Sequence, residues 1–204
     1  MTAGRGIVHE EYHSTAFAKK GGTVEMCQLW VNLPKKHKMH PPRYQGIVAS
    51  DIPTVPLAAA RVEGDEACAE AGRVRVIAGT LGEAQGPALT FSPVELWDIE
   101  LTAPDTPVEL TVPDDHNLIV FVRRGTVAVG PAGEEQKLGP QDAALMHREG
   151  TSLRLTAAEP ETQLLLLGGA PLDEPISAQG PFVMNTRQEI LQANRDYQSG
   201  KMGG

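Results

Sequence analysis

Between residues 73 and 167 the sequence repeats one pattern: short runs of β-favouring residues, interrupted by glycine, proline and charged residues. Within most runs apolar and polar side chains alternate, as they do when one face of a strand is buried. Such runs at intervals of about eight to twelve residues are typical of a β-sandwich or β-barrel. The pattern predicts an all-β domain with strands at residues 73–77, 94–101, 108–112, 118–123, 126–130, 143–146, 152–155 and 162–167.

Two further strands are predicted nearer the start of the chain, at residues 7–13 and 24–33. Glycines before the first predict a tight turn, and Pro34 ends the second. The second alternates cleanly, and its Trp30 is expected in a core. Residues 14–22 between the two are predicted to form a loop.

The transition to the repeated pattern is predicted to be a linker at residues 52–56, which contain two prolines. A short strand is predicted at Arg61 and Val62. An acidic hairpin tip follows at residues 63–72.

The predicted first strand carries candidate metal ligands. Because side chains two residues apart share one face of a strand, His9, Glu11 and His13 would project together. An imidazole beside a carboxylate is a suitable partial site for iron, manganese or zinc. The same residues also spell His-Glu-x-x-His, the helical zinc-protease signature. We favour the strand, since the flanking Gly-Ile-Val and Ser-Thr are poor helix formers and no third ligand follows at the required spacing.

Charge is distributed unevenly along the chain. The net charge is -8, but residues 1–45 carry seven Lys/Arg against three Asp/Glu. The acidic remainder would repel phosphate backbones, so direct nucleic-acid binding is not expected. The basic segment at residues 35–43 is interpreted as a solvated loop.

No apolar run is long enough to span a membrane, and we expect a cytoplasmic protein.

Three motifs together resemble the pirin family: MTAGRGIVHEEYH at residues 1–13, MCQLWVNLPKKHKMHPPRYQ at residues 26–45 and GPFVMNT at residues 180–186. The resemblance implies a bicupin, which is two double-stranded β-helix barrels in tandem with one iron site in the first. The chain then divides into a partial amino-terminal barrel (1–50), a carboxy-terminal barrel (51–172) and a tail (173–204) that packs back on the amino-terminal part.

The resemblance also assigns the site. His9 and Glu11 fall on the family's His-x-Glu ligands, which implies Fe(II) or another divalent metal, and Glu11 is implied as the base toward a substrate hydroxyl. The family's other two ligands belong to an Asp-His-Pro-His motif earlier in its sequence, and these 204 residues do not contain that motif. We therefore expect a pirin whose first barrel lacks its start. His37, His40 or a second chain would have to complete the site.

The remaining histidines, His116 and His147, are predicted to be structural or surface residues, so the second barrel is expected to hold no metal. The tail is predicted to end in one short helix. Thr186 and Glu189 form a capping box at its start, followed by an apolar stripe of Ile190, Leu191, Ala193 and Tyr197.

Two functions follow from the resemblance. The first is a metal-dependent dioxygenase of the quercetin type, acting on a small aromatic flavonol. The alternative is a non-catalytic, metal-free binding protein that docks on a transcription factor or enzyme, using residues 35–43. Open strand edges in an incomplete barrel also predict homodimerisation. A further expectation is that Met1 is an internal methionine of a longer natural protein.

Overall fold

A computed structural model describes residues 1–60 and 69–202. The chain forms two compact units, one made of Met1–Tyr44 with Leu172–Gly204 and the other of Gln45–Pro171. The strands of the second unit are β1 (Thr54–Ala58), β2 (Glu70–Ala78), β3 (Thr80–Leu81), β4 (Ala84–Gln85), β5 (Val94–Leu101), β6 (Pro107–Thr111), β7 (Asn117–Arg124), β8 (Val127–Val129), β9 (Gln136–Leu138), β10 (Ala143–Leu145), β11 (Ser152–Ala157) and β12 (Thr162–Gly169). The first unit contains α1 (Thr15–Lys20), β13 (Ser177–Gln179), β14 (Phe182–Met184) and α2 (Arg187–Gln198).

Two large antiparallel sheets form most of the second unit, and β3 and β4 form a separate two-stranded sheet. The larger has the strand order β1-β2-β5-β12-β7-β10, and the smaller has the order β6-β11-β8-β9. Apolar side chains from both sheets meet in one core, which includes the fully buried Trp97, Leu155 and Leu166. The alternation along β5 puts Trp97 in this core and its neighbour Asp98 on the opposite face. The two sheets therefore enclose a single apolar interior, as in a β-barrel.

All eight strands predicted between residues 73 and 167 are confirmed, with ends that differ by a few residues. The linker predicted at residues 52–56 is wrong, because β1 occupies part of it and Val55 pairs with Val74 of β2. Pro56 is tolerated there because β1 is an edge strand. The N–H group that proline lacks would have faced the open side, where no neighbouring strand accepts a hydrogen bond. The strand predicted at Arg61 and Val62, and most of the acidic tip, lie outside the described residues.

The two strands predicted near the start of the chain do not form. Residues 7–13 and 24–33 are irregular in structure, and Trp30 is 68% exposed rather than buried. Alternation makes a segment compatible with a strand, but a strand also needs a hydrogen-bonded partner, and the described residues supply none for these two segments.

The loop predicted at residues 14–22 is also wrong, since α1 begins and ends within it. The Ser14 hydroxyl accepts a hydrogen bond from the Phe17 N–H at 3.2 Å, and the Gly21 N–H donates to the Phe17 carbonyl at 2.8 Å. Local capping at both ends therefore specifies this helix. None of its residues is buried.

The carboxy-terminal helix α2 begins at the predicted capping box, in which Thr186 and Glu189 bond each other's backbone N–H groups. The hydrogen bond from the Thr186 hydroxyl also lowers the pKa of Glu189 below its usual value. Of the predicted stripe, Ile190 and Ala193 are buried in a small cluster with Met184 and Met202. Leu191 and Tyr197 are about half exposed, so the stripe is narrower than predicted.

The basic segment at residues 35–43 is not uniformly solvated, which corrects its interpretation. Lys38 is only 7% exposed, and its ammonium group donates to the Asn32 side-chain oxygen. Burial lowers the pKa of Lys38, while Glu174 and Glu189 oppose that shift. The Lys35 N–H also donates to a Glu174 carboxylate oxygen at 2.6 Å. These contacts join the basic segment to the tail within the first unit.

Candidate metal-ligand pair and its surroundings

His9 and Glu11 lie together at the surface of the first unit. The His9 Nδ1 atom is 4.0 Å from the Glu11 Oε1 atom, and the two side chains are 43% and 61% exposed. They project from an irregular chain segment rather than from the predicted strand. The structure thus brings the predicted pair together without the backbone that was expected to align it.

A tight turn before the pair ties the start of the chain to the end of the basic segment. Thr2 and Arg43 exchange backbone hydrogen bonds at 2.8 and 3.1 Å, and the Arg5 N–H donates to the His40 carbonyl at 3.0 Å. Gly4 has a φ of +53°, and a Cβ atom there would lie 2.0 Å from the His40 oxygen. Only glycine fits this approach, so the turn predicted from the glycines is confirmed.

Other histidines of the first unit do not join the pair. The His13 ring packs 5.6 Å from the Phe17 ring, and the His40 Nδ1 atom lies 2.7 Å from the Pro41 carbonyl oxygen. His37 is partly buried in a short 3₁₀ turn. Over residues 1–60 and 69–202, no three His, Cys, Asp or Glu side chains are grouped so that they could hold a metal ion.

The pair therefore fits a metal centre by donor type but not by donor number. Imidazole and carboxylate are the ligands that iron and manganese accept, yet a rigid centre needs at least three protein ligands. We derive no catalytic step through a metal from this pair alone. Any centre built on His9 and Glu11 requires ligands from beyond the described residues.

The zinc-protease interpretation has no structural basis, because residues 7–13 are not helical and cannot stack His9 over His13. Glu10, the glutamate of the His-Glu-x-x-His motif, accepts a hydrogen bond from the Tyr12 hydroxyl. That bond raises the pKa of Tyr12 above its usual value.

The second unit contains a buried ionisable pair that the sequence did not predict. The His116 Nδ1 atom lies 2.8 Å from the Glu95 Oε2 atom, and the side chains are only 14% and 6% exposed. Gly168 lies opposite Glu95 on the neighbouring strand, where a Cβ atom would be 2.8 Å from that same carboxylate oxygen. The glycine makes room for the carboxylate. His116 is thus a structural residue, whereas His147 is exposed.

We expect replacement of His116 by alanine to lower the free energy of unfolding of the barrel by about 1–3 kcal/mol, because it removes a partner from the buried Glu95 carboxylate. Urea denaturation measures the change. The matched control is His147→Ala, an exposed histidine whose loss should cost no more than about 0.5 kcal/mol. Equal effects of the two substitutions would contradict the structural role of the pair.

Charged residues form a ladder across the outer face of the large sheet. Asp98 accepts hydrogen bonds from Arg75 at 3.1 Å and from Arg123 at 2.9 Å, and Arg73 pairs with Glu100 at 2.7 Å. Together with Gln163 these side chains line an open depression of about 220 Å³. Alternation of arginines on β2 and of acids on β5 is the sequence signal for this cross-strand pairing.

Two antiparallel sheets closed around one apolar core define the second unit as a cupin-type barrel. The family model of the pirin C-terminal cupin domain matches residues 96–203, and this chain belongs to the pirin family.

Comparison with individual proteins agrees with this assignment. A Pseudomonas aeruginosa protein named "Putative quercetin 2,3-dioxygenase" is 48% identical over 98% of this chain and 65% of its own length. Human pirin is 32% identical over the whole chain and 64% of its own length. A crystal structure of quercetin 2,3-dioxygenase from Acinetobacter baumannii superposes with a TM-score of 0.87 and 44% identity, over all of this chain and 65% of that one. The chain thus spans 64–65% of the length of these relatives, less than two thirds.

Among the residues that the structure describes, no helix is long and apolar enough to cross a membrane.

Proposed function

We propose that this chain supplies half of the metal centre of a pirin-type quercetin 2,3-dioxygenase, which acts on a small aromatic flavonol. The observation that carries the proposal is the 4.0 Å approach of His9 and Glu11, two exposed side chains of the right donor types. The names of two relatives that align over almost the whole chain support the reaction class. We propose Fe(II) as the metal, and Glu11, whose exposed carboxylate a substrate hydroxyl can reach, as the proton acceptor.

A fusion protein tests this function. This chain replaces the 65% of the Pseudomonas relative that it matches, so that the fusion keeps the unmatched part of that relative, and the product is loaded with Fe(II). We expect about one metal ion per chain and consumption of quercetin and dioxygen, with His9→Ala and Glu11→Gln each lowering the rate by at least about 100-fold. His13→Ala is the matched control, because His13 lies on the same segment but outside the pair.

The way in which this test fails would show which part of the proposal is wrong. If the fusion binds metal and leaves quercetin unchanged, the dioxygenase proposal is wrong although the metal site exists. If it binds no metal, the pair is not a ligand pair.

The alternative function is protein binding without a metal. Residues 24–31 favour it, because Met26, Trp30 and Val31 lie close together in the chain and are 62–73% exposed, and exposed apolar side chains that cluster mark interaction surfaces. A photo-crosslinking residue at position 30 should then capture one defined partner in cells, whereas one at the equally exposed Leu145 should not. The capture should persist in His9→Ala protein. The basic segment is a poorer candidate, since Lys38 within it is buried.

Three earlier expectations stay predictions: the division at residues 50 and 172, the cytoplasmic location and homodimerisation through open edges.

A further inference from the structure

The open depression on the outer face of the large sheet has an uneven balance of charge. Its lining contains three guanidinium groups, two carboxylates and one amide. Arg73 donates through both Nε and Nη2 to one Glu100 oxygen, so these two charges neutralise each other. Asp98 is shared, with one oxygen accepting from Arg75 and the other from Arg123. The lining therefore carries one positive charge in excess.

The strand order holds these groups over the middle of the sheet. Because β12 lies between β5 and β7, Arg123 on β7 reaches Asp98 on β5 across β12. Neighbouring strands are about 4.8 Å apart, so this contact spans about 10 Å and lays the arginine side chain over β12. Gln163 of β12 lies opposite Glu100 in the register and lines the same depression. The depression thus has a guanidinium group and an amide side by side.

Some of the hydrogen-bonding capacity of the lining is available to a ligand. The bond from Arg75 to Asp98 uses Nη1 and only one of the five guanidinium N–H groups. In the part of the chain that the structure describes, the Gln163 amide makes no side-chain hydrogen bond. That amide can both donate and accept. Arg75 is also partly exposed, so a small molecule can reach it from solvent.

We propose that this depression binds a small hydroxycarboxylate, a molecule with one carboxylate group and neighbouring hydroxyl groups. The planar fork of Arg75 matches a carboxylate with two parallel hydrogen bonds. A single carboxylate neutralises the excess charge of the lining. A phosphate ester would bring a second negative charge beside Asp98 and Glu100 and would bind less well. The Gln163 amide suits a ligand hydroxyl, which also donates and accepts.

The size and polarity of the depression narrow the ligand further. Its volume of about 220 Å³ lies below the roughly 300–1,000 Å³ of most ligand pockets. All six lining side chains are charged or carry an amide, so an aromatic ring would gain little there. The net charge of the chain is -8, so its overall field does not attract anions. The site belongs to the second unit and is independent of the metal centre proposed for His9 and Glu11.

The test titrates the ¹⁵N-labelled chain with glycerate at constant ionic strength and follows the NMR signals of the Arg75 Nε–H and the Gln163 amide. We expect both signals to shift and to saturate with a dissociation constant of about 1 mM or lower. Propionate, which lacks the hydroxyl groups, should bind at least about threefold more weakly. Inorganic phosphate should also bind more weakly, and glycerol, which lacks the carboxylate, should cause no shift.

Three variants assign the binding to the depression. Arg75→Gln should lower the affinity for glycerate at least about tenfold. Arg154→Gln is the matched control and should leave it unchanged, because Arg154 pairs with Glu109 across two strands of the smaller sheet. Asp98→Asn raises the excess from one positive charge to two and should tighten binding at least about threefold. Near-ultraviolet circular dichroism confirms that each variant is folded.

Other outcomes overturn the proposal. The depression holds no hydroxycarboxylate if the two signals do not saturate by about 20 mM glycerate. Equal affinities for glycerate, propionate and phosphate would mean non-specific attraction of anions. Equal losses in Arg75→Gln and Arg154→Gln would place the binding elsewhere, and weaker binding by Asp98→Asn would contradict the charge argument. Each of these results leaves the proposed metal centre untouched.

Discussion

Replacing Leu166 with alanine is expected to lower the free energy of unfolding of the barrel by about 2–5 kcal/mol. Leu166 is fully buried, and its strand β12 pairs with β5 on one side and β7 on the other. Because strands on both sides of β12 are held by hydrogen bonds, the residues around Leu166 cannot move into the space left by its side chain. The free-energy cost of a cavity is therefore added to the lost transfer free energy of the side chain.

The measurement is urea denaturation followed through Trp97. The chain has two tryptophans, and a Trp30→Phe background leaves Trp97 as the sole fluorescent reporter of the barrel core. Leu145→Ala is the matched control, because Leu145 lies on β10 of the same sheet and is 75% exposed. Its loss should cost no more than about 0.5 kcal/mol. Comparable effects of the two leucines would mean that the enclosed core is not the source of barrel stability.

Limited proteolysis is expected to cut the first 50 residues long before it reaches the barrel. Trp30 is 68% exposed on an irregular segment, whereas Trp97 is fully buried in the centre of β5. Chymotrypsin accepts both residues, but cleavage at Trp97 requires opening of the sheet. Local fluctuations suffice at Trp30, so we expect a difference in rate of at least about 100-fold.

Mass spectrometry of the time course identifies the first products. A persistent fragment that contains residues 45–171 is the expected result. We also expect the barrel, expressed from about Ile52, to be more stable than the whole chain. An intact fragment of residues 1–50 after the barrel has been digested would contradict both statements.

The strands of the barrel were predictable because their apolar and polar residues alternate within each strand. Val94 to Leu101 alternates without a fault, and the structure pairs this strand on both sides and buries Trp97, Ile99 and Leu101. The capping box of Thr186 and Glu189 was predictable for a similar reason, since a helix start depends on four consecutive residues. In both cases the chemistry that specifies the structure is local in the chain.

The first unit was less predictable. Residues 24–33 alternate as well as β5 does, yet they form no strand, because strand formation depends on a partner that the segment itself does not encode. The sequence also placed Lys38 in a solvated loop, whereas the folded chain buries it, with its ammonium group bonded to Asn32 and under the electrostatic influence of Glu174 and Glu189 in the tail. These interactions involve residues as distant in sequence as Glu174, so no local sequence pattern predicts them.

For the candidate site too, the sequence identified the residues and the folded structure determined their surroundings. The spacing of His9 and Glu11, together with the family motif around them, was sufficient to nominate the pair. Their exposure, the 4.0 Å between their donor atoms and the lack of a third ligand among the described residues emerged only from the folded chain. The same holds for Glu95 and His116, which are 21 residues apart in sequence and meet inside the barrel. Local patterns depend on neighbours in the chain and can be inferred from it, whereas burial and ligand number depend on which distant segments pack together.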